Sequence, residues 1–275
     1  MENHDHTFSA KPLLQRIDLL FGPIEIEQAK PSQMEETTCV VIDILRFTTT
    51  AVMALANGAK AVIPAKSIGD ALTLHEKYPD SLLAGERGGS KIGSELTGGR
   101  DFDLGNSPRE FTRQAVEGRV VISTTTNGTI ALNACKGAVN VMAASFLNAV
   151  ATVSWILKHP TERVCLICSG THGENSYEDM LGAGAVASML IRSRSSGQYK
   201  GQPGLSYSDS VLACCMLYQQ ACQQGLKEHF SLSRNGRNLG SFAHLAEDVP
   251  FAARTDTCRF AVLLKDGQLR MAEQK

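Results

Sequence analysis

A motif that occurs twice constrains this chain most strongly. The two copies are VVIDILRFTTT at residues 40–50 and VVISTTTNG at residues 120–128. In each copy the apolar residues predict a buried strand, and the polar residues lead into a short helix that a glycine ends. A second strand, a second helix and a third strand follow both copies. We therefore predict a strand–helix unit of about 50 residues that is used twice, near residues 40–89 and 120–173.

The alternation of strands and helices predicts an α/β fold with three layers, α/β/α. We expect two similar halves, residues 15–118 and 119–275, packed as one catalytic unit after a disordered leader at residues 1–14. The active-site cleft is expected between the halves, at the carboxyl ends of strands, where open α/β sheets bind ligands. Whether the halves share one sheet is left open by the sequence.

Composition excludes some classes of partner. The net charge is −1, so no overall field draws the chain to nucleic acid or to a membrane surface. No apolar run approaches the roughly 18 residues of a membrane span. The eight cysteines include several in apolar runs, and we find no secretory signal, so a cytoplasmic location is expected. A homodimer is possible on general frequency alone.

Asp43 ends the first strand of the first copy and faces a turn into a helix. A carboxylate at this place can hold Mg²⁺ or attack a phosphorus atom. Arg46, three residues on, can bind phosphate oxygens with its planar guanidinium. The spacing is equally compatible with an Asp43 that only caps the following helix.

The second copy has a run of small polar residues at the equivalent place. Their hydroxyls, backbone N–H groups and helix start are typical of an anion-binding loop. The run lacks the Gly-Lys-Ser/Thr ending of a Walker A loop, and hydroxyl-rich helix starts are also common without any ligand. The residues concerned are Thr124, Thr125, Thr126, Asn127 and Gly128.

Two carboxylates follow the third strand of the second copy. Ser176 and Asp179 have the spacing of a capping box, and Glu178 with Asp179 would complement the dipole of a new helix. On local grounds this structural interpretation is favoured. Because the preceding strand should end at the same cleft as Asp43, a pair of metal-binding carboxylates is the alternative.

Three other patterns have ordinary structural explanations. Cys165 and Cys168 have zinc-site spacing, but they lie within one strand, so buried core cysteines are expected. Gly182 and Gly184 imitate a dinucleotide fingerprint inside a helix rather than at a strand–helix turn, which favours close helix packing. His172 is expected to be a solvated loop residue, with proton transfer as the alternative.

Local signals also predict two further elements. Ser107 and Pro108 predict the cap and start of a helix over residues 108–117. Near the end of the chain, residues 259–264 and 269–271 flank a Lys-Asp-Gly turn and predict a hairpin.

Taken together and in order, these motifs resemble the 2-phosphosulfolactate phosphatases of coenzyme M biosynthesis. The resembling segments are residues 41–50, 85–89, 102–108, 124–129, 144–149 and 178–179, within a span from about 17 to 265. The resemblance implies a Mg²⁺-dependent phosphatase with an α/β fold that removes phosphate from a small anionic substrate, a 2-phospho-3-sulfo-carboxylate. Another 2-phospho-hydroxy acid is the alternative substrate.

The resemblance also suggests roles for the candidate residues. Asp43, Glu178 and Asp179 would surround Mg²⁺, directly or through waters. Either Asp43 attacks phosphorus to form an aspartyl-phosphate, or Glu86 orients a water molecule. Phosphate, carboxylate and sulfonate oxygens would be bound by the remaining candidates, which are Arg46, Arg87, the loop at residues 124–128, Ser145 and Asn148.

Rival hypotheses come from other functional classes. A non-catalytic anion-binding protein would use the same loops without turnover and with little dependence on metal. A nucleotide-using transferase would need the phosphate-binding motifs that this chain lacks or misplaces. A mainly structural oligomer-forming protein would not need polar residues at its strand ends.

Overall fold

The computed structural model describes residues 13–125, 128–196 and 203–273. Thr126 and Asn127, both predicted to bind substrate, lie outside the described residues. So does the predicted leader, apart from its last two residues. Leu14, at its end, is buried and belongs to the core.

The described residues form eleven strands and twelve helices. The strands are β1 Arg16–Leu20, β2 Thr37–Ile42, β3 Ala61–Pro64, β4 Leu82–Arg87, β5 Ser90–Lys91, β6 Val120–Thr124, β7 Asn140–Ala144, β8 Arg163–Cys168, β9 Ser206–Tyr207, β10 Val262–Lys265 and β11 Gln268–Met271. The helices are α1 Pro23–Gln28, α2 Phe47–Ala56, α3 Ile68–Lys77, α4 Ser94–Thr97, α5 Arg113–Val116, α6 Gly128–Ala134, α7 Ala149–Lys158, α8 Tyr177–Arg194, α9 Asp209–Gln224, α10 Leu226–Leu232, α11 Arg234–Gly240 and α12 Asp248–Ala252.

All eleven strands belong to one sheet in the order β5-β4-β6-β3-β11-β10-β7-β2-β8-β1-β9. Strands β4, β6 and β3 form one parallel block, and β7, β2, β8, β1 and β9 form another. The antiparallel hairpin β10–β11 lies between the blocks and pairs antiparallel with both. The two parallel blocks consequently run in opposite directions.

Strands from the two predicted units alternate within these blocks. Strand β2 of the first unit lies between β7 and β8 of the second, and β6 of the second lies between β3 and β4 of the first. The units therefore share one continuous sheet, which answers the question that the sequence left open. The duplication and the boundary after residue 118 stay predictions.

Helices cover both faces of the sheet, which confirms the predicted three-layer α/β/α fold. Strand β2 is buried along its whole length, and its side chains alternate between the two faces. Val40 and Ile42 pack in a core with helices α7, α8 and α9. Cys39 and Val41 pack in a second core with α2 and α6. Because both faces of β2 are buried, its sequence is a nearly continuous run of apolar residues.

Most predicted elements are confirmed, but one helix is wrong. Residues 108–112 are irregular, and only α5 is helical there, with the Thr112 side chain accepting a hydrogen bond from the N–H of Ala115. The predicted cap, Ser107, instead donates to a buried carboxylate elsewhere in the chain. The hairpin β10–β11 forms as predicted.

The structural explanations of the glycine and cysteine patterns are also confirmed. A Cβ atom on Gly184 would lie 2.1 Å from the carbonyl oxygen of Cys214, so this glycine allows α8 and α9 to pack closely. Cys165 and Cys168 point into the two different cores. All eight cysteines lie in the described residues, and each is a free thiol. Among the helices that the structure describes, none combines the length and the apolar character of a membrane span.

Candidate active site

Asp43 lies immediately after β2, where the sheet meets the start of α2. One oxygen of its carboxylate, Oδ1, accepts a hydrogen bond of 3.1 Å from the N–H of Phe47, so Asp43 does help to cap the helix. The carboxylate is nevertheless buried close to other acids. Burial, together with the charges of Glu178 and Glu86, raises the pKa of Asp43 to about 7 against the opposing effects of the Phe47 hydrogen bond and of Arg46. The capping interpretation of Asp43 is therefore confirmed, and its role as a metal-binding or attacking carboxylate stays a prediction.

Asp179 connects two loops rather than capping its own helix. Its Oδ1 accepts 2.8 Å from the N–H of Ile44, and its Oδ2 accepts 3.1 Å from the N–H of Gly170. The side chain of Ser176 hydrogen-bonds with Thr171 instead of closing a capping box. The predicted capping box is therefore wrong, whereas Glu178 and Asp179 do lie in the first turn of α8, as the same interpretation predicts. Asp179 holds the segment after β2 against the segment after β8. Burial, followed by the charges of Glu178 and Asp43, raises the pKa of Asp179.

Glu178 differs from Asp179 because only one of its two carboxylate oxygens accepts a hydrogen bond from the described residues. Its Oε1 accepts a hydrogen bond from the side-chain amide of Asn235. Its Oε2 is buried and has no hydrogen-bond partner among the described residues. Burial is the main cause that raises the pKa of Glu178. A buried carboxylate oxygen without a partner is costly in a folded protein, so a cation or a hydrogen-bond donor would stabilise Glu178 at this point.

The end of β4 reaches the same region. Glu86 accepts a hydrogen bond of 2.8 Å from the N–H of Gly89, and the carbonyl of Gly89 accepts 3.0 Å from Arg46. Arg87 donates 3.1 Å to the hydroxyl of Thr124 at the end of β6. The structure thus brings Asp43, Arg46 and Glu86 together, and Arg87 links β4 to the Thr-rich loop.

A cavity of about 110 Å³ opens between these segments. Its polar lining residues are Arg46, Glu86, Asn106, Thr171, His172, Asn235 and Asn238. Asn106, one of these lining residues, has a buried side-chain oxygen without a partner among the described residues. His172 lies at the exposed mouth, on the loop where a solvated histidine was expected. Acidic, basic and neutral polar groups therefore converge on one enclosed space.

Ser145 and Asn148 have a different local environment. The Asn148 Oδ1 accepts 2.9 Å from the N–H of Ser145, and the Ser145 Oγ accepts 3.3 Å from the N–H of Leu147. The Asn148 amide also donates to the carbonyl of Ala143. These bonds form a capping box before α7. Their predicted role in substrate binding stays a prediction, and their observed hydrogen bonds position the chain after β7.

Local sequence reasoning missed a buried charge cluster beside the cavity. Asp248, at the start of α12, is fully buried. It accepts 3.0 Å from Arg46, 2.8 Å from Arg109 and 2.6 Å from the hydroxyl of Ser107. Asp248 is 202 residues from Arg46, and its local pattern is that of any acidic helix start. No signal near Asp248 could have identified the cluster.

The carboxylates suit a Mg²⁺ ion only in part. No group of three or more His, Cys, Asp or Glu side chains within the described residues has the arrangement of a complete metal site. Both oxygens of Asp179 already accept backbone hydrogen bonds, which leaves Asp43 and Glu178. Mg²⁺ commonly binds through one or two carboxylates, with waters and substrate phosphate oxygens completing its coordination. The unpartnered Oε2 of Glu178 beside the buried Asp43 fits that pattern.

Comparison with known proteins places the chain among phosphatases. A family model described as 2-phosphosulpholactate phosphatase matches residues 24–267. A protein of Thermotoga petrophila named probable 2-phosphosulfolactate phosphatase is 34% identical over 250 residues, which are 91% of this chain and 99% of the relative. A protein of Deinococcus radiodurans with the same name is 34% identical over 253 residues, 92% of this chain and 93% of the relative. The chain belongs to the 2-phosphosulfolactate phosphatase family of phosphoric monoester hydrolases.

Proposed function

We propose that this protein hydrolyses the phosphate monoester of 2-phosphosulfolactate, or of a close 2-phospho-hydroxy acid, with Mg²⁺ as cofactor. Water supplies the new oxygen on phosphorus, the bond from phosphorus to the substrate's C2 oxygen breaks, and that oxygen takes a proton to leave as the free hydroxyl. The names of the relatives support the substrate class. The observation that carries the metal proposal is the unpartnered Glu178 oxygen beside Asp43.

The basic groups of the cavity account for anion binding in a chain whose net charge is −1. Arg46 lines the cavity, and Arg87 lies next to the Thr124 end of β6. Arginine can bind phosphate, carboxylate or sulfonate oxygens through two parallel hydrogen bonds. The substrate carries all three groups, so several donors around one small cavity are needed to neutralise it.

The acidic groups would hold the cation and direct the attack. Asp43 and Glu178 are the residues that would bind Mg²⁺, which, when bound, neutralises charge that develops on the phosphate oxygens. Asp179 holds the loops after β2 and β8 in a fixed relative position through its two hydrogen bonds from backbone N–H groups. Glu86 lines the cavity, where a carboxylate can orient and deprotonate a water molecule. Attack by Asp43 itself is the competing version.

Phosphate release by the purified protein tests the proposal. The substrates are 2-phosphosulfolactate, phospholactate, phosphoglycolate and a nucleoside monophosphate, each with and without Mg²⁺, and the Asp43→Asn variant serves as the inactive control. We expect Mg²⁺-dependent release from the 2-phospho acids and a loss of at least about 1000-fold in the variant. Near-normal turnover by Asp43→Asn would contradict both versions of the mechanism. Folded protein that binds phospho acids without releasing phosphate would favour the anion-binding alternative.

A trapping experiment separates the two attacking groups. If Asp43 attacks phosphorus, acid-quenched enzyme retains a phosphoryl group that hydroxylamine releases. If water attacks directly, no phosphoryl-enzyme accumulates, and Glu86→Gln loses turnover while it still binds inorganic phosphate.

A further inference from the structure

Asp248 is the most completely enclosed charged residue next to the cavity. Its relative exposure is 0%, yet it belongs to a short helix distant in sequence from every residue predicted for the site. Its Oδ2 accepts a hydrogen bond from Arg46, and its Oδ1 accepts hydrogen bonds from both Arg109 and Ser107. A buried carboxylate that accepts three hydrogen bonds from two other segments holds those segments in fixed relative positions.

Of the residues that Asp248 holds in place, Arg46 is the one that lines the cavity. One terminal nitrogen of its guanidinium donates to Asp248 and the other donates 3.0 Å to the carbonyl of Gly89. Arginine has five N–H donors. Within the described part of the chain only these two nitrogens have hydrogen-bond partners, so donors remain for a ligand in the cavity that Arg46 lines. The two contacts fix the plane of the guanidinium and therefore the direction of the remaining donors.

Asp248 faces two guanidinium groups, Arg46 and Arg109. Arg46 lines the cavity together with the amide of Asn106 and the carboxylate of Glu86, so the lining is of mixed charge. The feature that suits an anionic ligand is therefore the remaining N–H donors of Arg46, held in a fixed direction, and not an excess of positive charge.

We propose that Asp248 is a positioning residue, which orients Arg46 to bind an anionic group of the substrate. The proposal rests on the proposed function for the identity of the substrate. It predicts that Asp248 acts through binding and not through the chemical step, because Asp248 itself is shielded from the cavity by Arg46. The expected signature is a higher KM with little change in kcat.

The test compares Asp248→Asn with a matched variant, Asp18→Asn. Asp18 also pairs with two arginines, Arg16 and Arg163, but it lines a different depression in the surface. The measurements are KM and kcat for 2-phosphosulfolactate, the Mg²⁺ concentration for half-maximal rate, and the dissociation constant for inorganic phosphate by calorimetry. Misplacing one binding group by about 1 Å can cost about 100-fold.

We expect Asp248→Asn to raise KM and the phosphate dissociation constant by about 10- to 100-fold, with an unchanged Mg²⁺ requirement. Asp18→Asn is expected to lower the unfolding temperature without changing these constants. Unchanged phosphate affinity in a folded Asp248→Asn protein would overturn the proposal. If that variant does not fold, Ser107→Ala removes one hydrogen bond from the carboxylate, and a phosphate dissociation constant equal to that of the wild type would overturn the proposal in its place.

The phosphate measurement keeps the two proposals separate. Wild-type protein that releases no phosphate from any substrate would refute the proposed function. Binding of inorganic phosphate can still be measured in that case, and its dependence on Asp248 decides the positioning role independently.

Discussion

At the scale of single residues, the site uses each acid differently because each has different neighbours. Asp179 is fully occupied by two backbone N–H groups, whereas Glu178 keeps one buried oxygen without a partner in the described residues. Asp43 is intermediate between these two acids, because one of its carboxylate oxygens accepts a hydrogen bond from the N–H of Phe47. Under the proposed function, adjacent residues in the first turn of α8 would have different roles, Asp179 a structural one and Glu178 a metal-binding one.

Replacing Glu178 with glutamine separates these roles. Glu178→Gln keeps an acceptor for Asn235 but removes a buried charge, so we expect a higher unfolding temperature in the absence of divalent cations. If Glu178 binds Mg²⁺, the concentration for half-maximal rate rises at least about tenfold. The control is Glu174→Gln, since Glu174 is an exposed residue of the preceding loop. A variant with normal Mg²⁺ dependence would remove Glu178 from the metal site.

The raised pKa of Asp43 predicts how stability depends on pH. Without divalent cations, folded Asp43 holds its proton up to about pH 7, whereas the unfolded residue loses it near its ordinary pKa of 3.8. Between these values the folded state binds more protons, so the free energy of unfolding falls as the pH rises. Asp43→Asn lacks this contribution and should show a shallower decline, by more than about 1 kcal/mol over the window. Chemical denaturation in the presence of a chelator at several pH values measures the free energy of unfolding of both proteins. Parallel plots of this free energy against pH for the wild type and Asp43→Asn would contradict the prediction.

At the scale of elements, helix α8 determines where the loop after β2 lies. Asp179 at its start binds the N–H of Ile44, and Gly182 one turn later packs against the side chains of Ile42 and Ile44. A Cβ on Gly182 would lie 2.9 Å from one side-chain carbon of Ile44 and 3.0 Å from one of Ile42. Helix α8 and the segment that carries Asp43 therefore have little freedom to move apart or together.

Gly182→Ala tests this contact. We expect it to destabilise the fold by about 1–3 kcal/mol, because the added methyl overpacks the core, and to lower turnover by displacing Asp43. Gly69→Ala is the matched control: Gly69 lies in exposed helix α3, where a Cβ would meet only the Ser67 hydroxyl at 3.8 Å. That change should stabilise by about 0.5–1 kcal/mol. The measurements are the thermal unfolding and the turnover of both variants. Equal effects of the two substitutions on stability and turnover would contradict the prediction.

These elements also show what could be predicted from the sequence. Apolar runs such as β2 and turn residues such as those of the β10–β11 hairpin are determined locally, and their predictions hold. Ser107 and Ser176 have ordinary capping patterns, yet the Ser107 hydroxyl bonds to the distant Asp248 and the Ser176 hydroxyl bonds to Thr171 in the preceding loop. A tertiary contact prevails over local propensity at Ser107, and a competing local side-chain contact does so at Ser176. Both failures adjoin the cavity, where the requirements of the site differ from those of an isolated helix.

At the scale of the whole molecule, the hairpin β10–β11 joins two parallel blocks that run in opposite directions. It pairs with β7 on one side and, through Leu269 opposite Val62, with β3 on the other. Parallel strands alone could not change direction within one sheet. The C-terminal hairpin is therefore the structural reason that residues from both blocks, such as Asp43 after β2 and Glu86 in β4, belong to one continuous sheet.

The hairpin predicts how the molecule unfolds. Leu269 is fully buried between the blocks, so Leu269→Ala should lower the free energy of unfolding by about 2–5 kcal/mol. Met271 on the same strand is 42% exposed, and Met271→Ala should have a small effect. Because the sheet is continuous across the hairpin, we expect fluorescence of Trp155, in the block of β7, and far-UV circular dichroism, which reports both blocks, to give one coincident transition in denaturant for the wild type. Separate transitions in the wild type would show that the blocks fold independently and that the hairpin only links them.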